Sequence, residues 1–419
     1  MGFLGGIFGS ARKKFGRKVL QQVLAHGSVA SADYDPADDT VLFQIRGGGT
    51  GWINVAMLYR RFDGCAGPEL SAMVYDMVQA AVSQRSGATG RAGGAEQPED
   101  TWEQVAATVR PVLRPAGHDL VRVGDRNISG VVLTRRVLPY LVEMVAIDRP
   151  TTIQFVTAQH LLGWGVDADT VYAAAHENMT ELAMSALTAF EPAEGTRILE
   201  FDDDEGETYI GALPLIPGWL AGVAARTGTR PVVFLPGHLG MYLVLGAAEG
   251  SASEEMLPQL LALAEEKYDR ALRPVSPVPY TVDDDGELIP LRLPETHPAW
   301  RALQHAEATL AAKVYGAQTD KLRADADREA AVSDLLQVRD QDGTEYTMTP
   351  WTGYGNTILL PRANYICFVG RDGDAFRVAW DDVAELVDLH PAEEYDPPRY
   401  RVAGHPSAEI MTRLRALAS

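Results

Sequence analysis

The sequence predicts an α+β fold with more than one domain. Short alternating apolar runs bounded by glycine and proline predict β-hairpins, and apolar residues recurring every three or four positions predict amphipathic helices. With 419 residues, 46% of them hydrophobic, the chain can form several cores. We expect a mixed body of antiparallel hairpins and helices, followed by a smaller C-terminal α+β domain. The predicted units are residues 1–85 (an N-terminal helix with a hairpin–helix module), 86–98 (a flexible linker), 99–293 (the central α+β domain) and 294–419 (the C-terminal domain).

Composition argues against several functional classes. The chain has 57 acidic and 37 basic residues, and its net charge of −20 opposes binding to nucleic-acid phosphates. Its two cysteines, Cys65 and Cys367, form no C-x-x-C motif, which is typical of a reducing cytoplasm. The sequence contains no Walker, dinucleotide-binding or H-E-x-x-H motif and no apolar run of membrane-spanning length. We therefore predict no cofactor and no metal.

The N-terminal segment is basic and has no acidic residue before Asp33. Its apolar residues fall on one helical face, with basic residues beside them. The two sets are Phe3, Leu4, Ile7, Phe8, Ala11, Phe15 and Val19, and Arg12, Lys13, Lys14, Arg17 and Lys18. Two interpretations stay open: the helix packs on the fold, which is favoured, or its apolar face contacts a membrane surface or a partner.

The next region predicts a hairpin and a helix. Alternation over Val41–Ile45, the Gly47–Gly49 triplet and the apolar run Trp52–Val55 indicate two strands joined by a turn. The triplet lacks the Lys-Ser/Thr pair of a phosphate-binding loop. Pro68 opens an amphipathic helix, and Ser86–Pro98 has the small, polar, glycine-rich composition of a linker.

The most informative stretch of the chain is Leu138–Ala189. Leu141–Ile147 is a short apolar run typical of a buried strand, and Pro150 ends it. Asp167 is a suitable N-cap for one long amphipathic helix. The predicted inner face of that helix is Val171, Ala175, Asn178, Leu182 and Ala186, and the outer face contains His176, Glu177 and Thr180.

Asn178 is the polar member of that inner face. A buried amide must find hydrogen-bond partners, which are usually backbone groups of a neighbouring segment. We expect this structural role, with contact to a ligand as the alternative.

The same stretch resembles the YtpQ-like family of uncharacterised bacterial proteins. The residues that carry the resemblance are Asp148, Pro150, Val156-Thr157, Leu161, Trp164-Gly165, Ala175 and Asn178. The resemblance extends loosely over residues 12–290. It implies the fold of the body and a bacterial cytosolic setting, but no chemistry. This chain departs from the family where Pro236 is followed by Gly237-His238 rather than by an acidic residue.

The later part of the central domain predicts paired strands and a connector. Pro231–Leu235 and Met241–Leu245 are expected to pair. The proline-rich run Arg273–Pro279 is expected to connect rather than to pack. The acidic runs Glu200–Glu207 and Asp283–Glu287 do not match the EF-hand spacing, so solvated turns are favoured over calcium binding.

The C-terminal domain predicts a charged helix over Trp300–Ala326, followed by short strands. Its inner face is marked by Trp300, Leu303, Ala306, Leu310 and Val314. Asp342-Gly343 and Asp372-Gly373 are hairpin dipeptides, and we expect an antiparallel sheet.

The sequence contains no recognisable active site. The weak candidates for catalysis are Asp148, His160 and His238, since an imidazole and a carboxylate in one pocket can perform acid–base chemistry. The favoured function is non-enzymatic binding of a protein partner or a small ligand. The alternatives are a hydrolase that uses acid–base residues on an unknown substrate, and a peripheral membrane protein docking through its basic N-terminal helix.

Overall fold

A computed structural model of the chain defines an α+β fold, as the sequence predicts. The structure describes residues 5–35, 40–46, 50–55, 58–59, 62, 67–88, 100–117, 132–149, 153–188, 190, 197–202, 209–238, 240–245, 252–271, 273–324, 330–341, 343–353, 357–370, 372–392 and 394–418. The linker predicted over residues 86–98 overlaps the end of a helix at Ala88, and the rest of it lies outside the described residues.

The N-terminal module packs two helices on a three-stranded antiparallel sheet. Its elements are α1 (Gly5–Ala25), β1 (Val29–Asp35), β2 (Thr40–Ile45), β3 (Thr50–Asn54) and α2 (Pro68–Ala88). The sheet order is β1-β2-β3, so β1 adds a strand to the predicted hairpin. Gly16 lets α1 approach β1 closely, because a Cβ atom there would lie 2.3 Å from the ring of Tyr34.

The apolar face of α1 is buried inside this module. Phe15, Val19 and Val23 have at most 2% of their surface exposed and join the core formed with the sheet and α2. The basic side chains lie away from the core: Arg12 is partly buried, and Lys13, Lys14, Arg17 and Lys18 are exposed. Phe3 and Leu4 lie outside the described residues, and only the helical backbone is described for Ile7 and Phe8.

The first central sheet is organised around the buried strand that the sequence predicts. Its strands are β4 (Val109–Pro115), β5 (Thr134–Leu138), β6 (Leu141–Asp148) and β7 (Ile153–Phe155), and β6 pairs antiparallel with the other three. Strand β4 contains Pro111 and Pro115 and was not predicted from the sequence. Because β4 is an edge strand, prolines without N–H donors are tolerated there.

Short helices flank this sheet on both sides in the chain, and the prediction of a single long helix after Gly165 is wrong. The structure has α3 (Trp102–Val105), α4 (Ala158–Trp164), α5 (Ala168–Glu177) and α6 (Thr180–Thr188). Asp167 caps α5 as predicted, accepting a hydrogen bond from the backbone N–H of Thr170 at 2.8 Å. Helix α5 ends at Glu177 with Asn178 as its C-cap, so the residues on either side of Asn178 belong to separate helices.

The second central sheet has the order β12-β11-β9-β10-β8, with antiparallel pairing throughout. Its strands and helices are β8 (Arg197–Asp202), α7 (Trp219–Thr227), β9 (Val232–Phe234), β10 (Gly240–Leu245), α8 (Ala252–Arg270), β11 (Tyr280–Val282) and β12 (Leu288–Pro290). The predicted strand pair around Pro236 is confirmed as β9 and β10. Asp283 accepts hydrogen bonds from the backbone N–H groups of Asp285 and Glu287, which forms the predicted acidic turn between β11 and β12.

The expectation that Arg273–Pro279 connects without packing is wrong. Val275, Ser276 and Val278 have at most 4% of their surface exposed, and both valines belong to the main core. The backbone N–H of Val275 donates to Pro236 O at 3.1 Å, which fastens the run to the turn between β9 and β10. The run packs because its valines alternate with prolines, and this sheet offers them an apolar surface.

The C-terminal part contains α9 (Trp300–Ala324), α10 (Trp380–Leu386) and α11 (Ala408–Ala416) with two four-stranded sheets. The strands are β13 (Ala331–Val332), β14 (Leu336–Arg339), β15 (Glu345–Thr352), β16 (Thr357–Pro361), β17 (Tyr365–Val369), β18 (Ala375–Ala379), β19 (His390–Ala392) and β20 (Arg399–Ala403). The orders are β13-β16-β20-β19 and β14-β15-β17-β18. The expected antiparallel sheet is wrong at two pairs, because β13 pairs parallel with β16 and β15 pairs parallel with β17.

Helix α9 packs against both the central and the C-terminal elements. Leu303, Leu310 and Val314 are buried in the core that contains the second central sheet. Further along the helix, Gln318 and Thr319 accept hydrogen bonds from Arg399 of β20. The division at residue 294 stays a prediction. Among the described residues, no helix is long and apolar enough to cross a membrane.

Candidate small-molecule cleft

A cleft of about 290 Å³ lies between the central and the C-terminal elements. Three central segments, α9 and three C-terminal segments contribute its walls. The lining residues are Pro139, Tyr140, Val278, Tyr280, Pro290, Arg292, Gln304, Glu307, Ala308, Leu310, Ala311, Thr347, Arg362, Ala363, Asn364, Trp380 and Asp381. Ligand pockets are commonly found at such boundaries, and this volume suits a small molecule.

Tyr140 reaches the cleft from the tight turn between β5 and β6. Its φ of +65° is left-handed, a conformation that a residue with a bulky side chain adopts only where its surroundings enforce it. The backbone N–H of Ala116 donates to Tyr140 O at 2.7 Å, and the Tyr315 ring packs edge-on at 5.8 Å. Burial raises the pKa of Tyr140 to about 12, against the opposing effect of Arg362, so the hydroxyl is a neutral donor at neutral pH.

Asn364 is held in one amide orientation by Thr347. Its Oδ1 accepts hydrogen bonds from the backbone N–H of Thr347 at 2.7 Å and from the Thr347 hydroxyl at 2.9 Å. The backbone N–H of Asn364 donates to that hydroxyl at 3.0 Å. Because Oδ1 is engaged, the Nδ2 amino group remains as a donor. No hydrogen bond from Nδ2 occurs within the described part of the chain.

Arg362 places a guanidinium at the same wall. Its Nη2 donates to Asp381 Oδ1 at 2.8 Å, and its Cζ lies 4.8 Å from the centre of the Trp380 ring. Asp381 is largely exposed, so this ion pair is well hydrated and contributes little to stability. An exposed carboxylate of this kind can be displaced by a ligand anion.

Glu307 faces the cleft from α9. Its Oε1 accepts a hydrogen bond from Arg292 Nη1 at 2.8 Å, and its Oε2 accepts one from Gln304 Nε2 at 3.2 Å. Burial raises the pKa of Glu307, and the opposing effects of Arg292 and Gln304 do not cancel the rise. A carboxyl with a raised pKa in a cleft is a common feature of binding and catalytic sites.

Together these groups favour a ligand rich in hydrogen-bond acceptors. The Tyr140 hydroxyl, the Asn364 amino group and the Arg362 guanidinium are all donors. Between them, Val278, Leu310 and neighbouring residues provide an apolar wall. A carboxylate attached to a small apolar group fits both features.

The residues predicted as weak catalytic candidates lie outside the cleft, and each has its own set of neighbouring groups. Burial raises the pKa of Asp148, with Tyr209 and Arg110 opposing the rise. Burial, Arg114 and Arg273 lower the pKa of His238 to about 3, so its imidazole is neutral at pH 7.

The third candidate, His160, has a local structural role. Its Nδ1 accepts a hydrogen bond from the backbone N–H of Thr157 at 3.0 Å, and the Thr157 hydroxyl lies 2.9 Å away. These contacts cap α4. The ring stacks on Trp164 with centroids 5.0 Å apart. None of the three candidates lines the cleft. A catalytic role for them stays a prediction.

Asn178 has backbone partners of the kind expected for a buried amide. Its Nδ2 donates to Ala106 O at 2.7 Å and to Val109 O at 3.0 Å. These carbonyls lie where a short 3-10 helix meets β4. Asn178 therefore connects the break between α5 and α6 to the edge of the first central sheet.

The prediction that His176 lies on the outer face of its helix is wrong, because its side chain points toward the sheet. Its Nε2 is 2.7 Å from Oε1 of Glu143, a β6 residue whose side chain is fully buried. Arg135 donates to the other oxygen, Oε2, at 2.7 Å and stacks on the Tyr172 ring at 4.1 Å. The buried carboxylate is thus satisfied on both oxygens, and the cluster joins α5 to the sheet. Within the described residues, no group of three or more histidine, cysteine, aspartate or glutamate side chains is placed to hold a metal ion.

Sequence reasoning missed the residues that line the cleft. They come from segments between residues 139 and 381 that lie far apart in the chain, and none of them forms a motif by spacing. Pro139 and Tyr140 lie between two strands, and this local pattern predicts a tight turn but gives no indication of a ligand site.

Comparisons of the chain with protein-family models, with curated proteins and with solved structures gave no match. The resemblance to the YtpQ-like family therefore rests on the residues quoted above and stays a proposal.

Proposed function

We propose that this protein binds a small organic acid in the cleft between its central and C-terminal elements. The observation that carries the proposal is that three residues with donor groups, Tyr140, Asn364 and Arg362, line one cavity of about 290 Å³. The left-handed backbone of Tyr140 supports it, because strain of this kind is concentrated at ligand sites.

The charges around the cleft favour an anion over a cation. Arg292 and Arg362 provide two positive charges at the wall of the cleft. Glu307 and Asp381 are their counter-charges. Glu307 is partly buried, and its raised pKa reduces the negative charge that it carries at a given pH. Asp381 points to solvent, so water can hydrate it once a ligand takes its place on Arg362.

The test is a binding screen of small carboxylic acids and their matched amides, using ligand-observed NMR and thermal shift on the full chain. We expect one or more acids to bind and their amides to bind at least tenfold more weakly. Arg362→Gln should weaken the acid by about ten- to a hundredfold. Amides that bind as tightly as their acids would contradict the anionic class of ligand.

Arg415→Gln is a matched control for Arg362→Gln. Arg415 also pairs with an aspartate, Asp374 at 2.6 Å, and stacks on an aromatic ring, Phe376 at 4.8 Å, but it does not line the cleft. It should leave acid binding unchanged. Equal losses in the two variants, or acid binding that survives Arg362→Gln, would place the ligand elsewhere.

An acid–base enzyme acting in the same cleft is the second candidate. It is favoured by Glu307, whose raised pKa suits proton transfer, together with the Tyr140 hydroxyl. Mass spectrometry of a bound acid after prolonged incubation separates the two candidates. Recovery of unchanged ligand supports binding alone, whereas a product that disappears with Glu307→Gln supports catalysis.

A cytoplasmic location belongs to this proposal. It is supported by the two isolated cysteines and by the resemblance to a bacterial cytosolic family. We propose that the basic outer face of α1 is solvated rather than bound to a membrane, since the apolar face of that helix is buried against its own module.

A further inference from the structure

His305 lies between two carboxylates that belong to different parts of the fold. Its Nε2 is 2.6 Å from Glu265 Oε1 on α8, and its Nδ1 is 2.6 Å from Glu345 Oε2 on β15. The histidine itself is on α9, so three elements meet at one ring. The His305 side chain is 28% exposed, compared with 39% for Glu265 and 7% for Glu345.

With both carboxyls ionised, as at neutral pH, both contacts are hydrogen bonds only when the imidazole is doubly protonated. A neutral imidazole has one N–H, so one of its nitrogens would present a lone pair to a carboxylate oxygen. At 2.6 Å that arrangement is repulsive. The geometry therefore requires the charged ring, which two flanking carboxylates also favour electrostatically.

The other polar and charged groups around the ring stabilise Glu345 rather than replace His305. Gln337 Nε2 donates to Glu345 Oε2 at 2.6 Å, and Arg339 Nε donates to Oε1 at 2.6 Å, both from β14. Gln337 Nε2 also lies 3.4 Å from His305 Nδ1. Two cations of α9 contact other groups: Lys313 lies over the ring of Tyr268 at 4.6 Å, and Arg301 lies near Gly343 in the turn between β14 and β15.

We propose that His305 is a pH-sensitive clamp that fastens Glu265 of α8 to α9 and β15 when protonated and loosens this contact when it loses a proton. Leu257, Leu261 and Ala264 keep α8 in the main core in both states. Of the two carboxylates, Glu265 is the one released. Glu345 is nearly buried and needs the remaining N–H, whereas the more exposed Glu265 can be rehydrated by water. The clamp does not depend on the identity of any ligand in the cleft.

The direction of the pH effect follows from the change in proton affinity on folding. Partial burial lowers the pKa of His305, but the contacts with Glu345 and Glu265 outweigh it, and the net pKa is raised. The clamp's stabilising contribution is therefore complete below the ordinary histidine pKa of about 6.5. It is lost as the pH rises through the higher folded value.

Two measurements on the full chain test the clamp. The first is an NMR titration of ¹³C-labelled histidine, with the His305 signal assigned from His305→Gln. The second is hydrogen exchange of α8 amides between pH 5.5 and 8.5, corrected for intrinsic rates. We expect His305 to titrate above 6.5 and α8 to exchange faster at high pH, by about tenfold for each unit of pKa elevation.

Glu265→Gln should return the His305 pKa toward its ordinary value and remove the pH-dependent part of α8 exchange. Glu266→Gln is the matched control. Glu266 is the next residue on α8, and its carboxylate pairs with Arg270 at 2.6 Å, so this variant should behave as wild type. His305 titrating at or below 6.5, or α8 exchange with the same pH dependence in Glu265→Gln, would overturn the clamp. If His305→Gln fails to fold, Glu265→Gln still tests the clamp. Glu265 is partly exposed, and glutamine has the same shape as glutamate, so this variant should fold.

Discussion

Arg292 Nη1 donates a 2.8 Å hydrogen bond to Oε1 of Glu307 at the wall of the cleft, and this contact opposes the rise that burial causes in the pKa of that carboxyl. Arg292 comes from the segment after β12 and Glu307 from α9. The contact therefore links the electrostatics of the cleft to the packing of the helix that lies between the two halves of the fold.

Replacing Arg292 by glutamine should destabilise the protein in a pH-dependent way. Without its partner, Glu307 has a still higher pKa, and its charged form is disfavoured in the folded state. The variant should lose roughly 1 kcal/mol at pH 7 and much less near pH 4, where the carboxyl is largely protonated whether the chain is folded or unfolded. Urea unfolding at the two pH values measures the difference. Arg230→Gln is the control, because its partner Asp284 is 91% exposed, and it should change stability little at either pH.

Asn178→Ala should destabilise the protein by roughly 1–3 kcal/mol. The substitution leaves the carbonyls of Ala106 and Val109 without their side-chain donor. Thermal unfolding measures the loss. Thr180→Ala is a nearby control, since its hydroxyl makes a long, exposed 3.4 Å contact with His176 O. Unchanged thermal stability together with lost ligand binding would instead assign Asn178 to a site.

Arg399→Met should destabilise the C-terminal part by roughly 3 kcal/mol or more. This arginine is fully buried and donates to the carbonyls of Ser333, Leu359 and Tyr315 as well as to side chains on α9. Methionine fills much of the volume but leaves those acceptors unsatisfied. Denaturant unfolding followed by tryptophan fluorescence measures the loss. A change within about 0.5 kcal/mol would mean that water takes over the arginine's role.

The predicted boundary near residue 294 implies that residues 296–419 melt cooperatively on their own. Arg399 keeps the second half of α9 attached to β20 in such a fragment. Leu303, Leu310 and Val314 would lose their central partners, so we also expect the fragment to self-associate. Calorimetry and light scattering measure the two properties, and a non-cooperative melt would show that the boundary is misplaced.

The full-length protein should stay in the supernatant when mixed with anionic vesicles at physiological salt. The face of α1 that would enter a membrane already contributes Phe15, Val19 and Val23 to the core. Exposed Lys13 and Lys14 alone gain little at a Debye length of about 8 Å, and the net charge of −20 opposes approach. Salt-sensitive sedimentation that Lys13→Glu and Lys14→Glu abolish would restore the membrane hypothesis.

Sequence alone determined the α+β class, strand β6, the cap at Asp167 and the inner face of α9, because each depends on periodicity or turn chemistry within about twenty residues. Tertiary structure alone decided the remaining features. Strand β4 tolerates its prolines because it lies at the edge of its sheet. The run Arg273–Pro279 packs because the second central sheet presents an apolar surface to its valines. A buried carboxylate at Glu143 turns His176 inward. The cleft and the ring of His305 between two carboxylates depend on groups brought together from distant segments, and no local pattern encodes a distance between such segments.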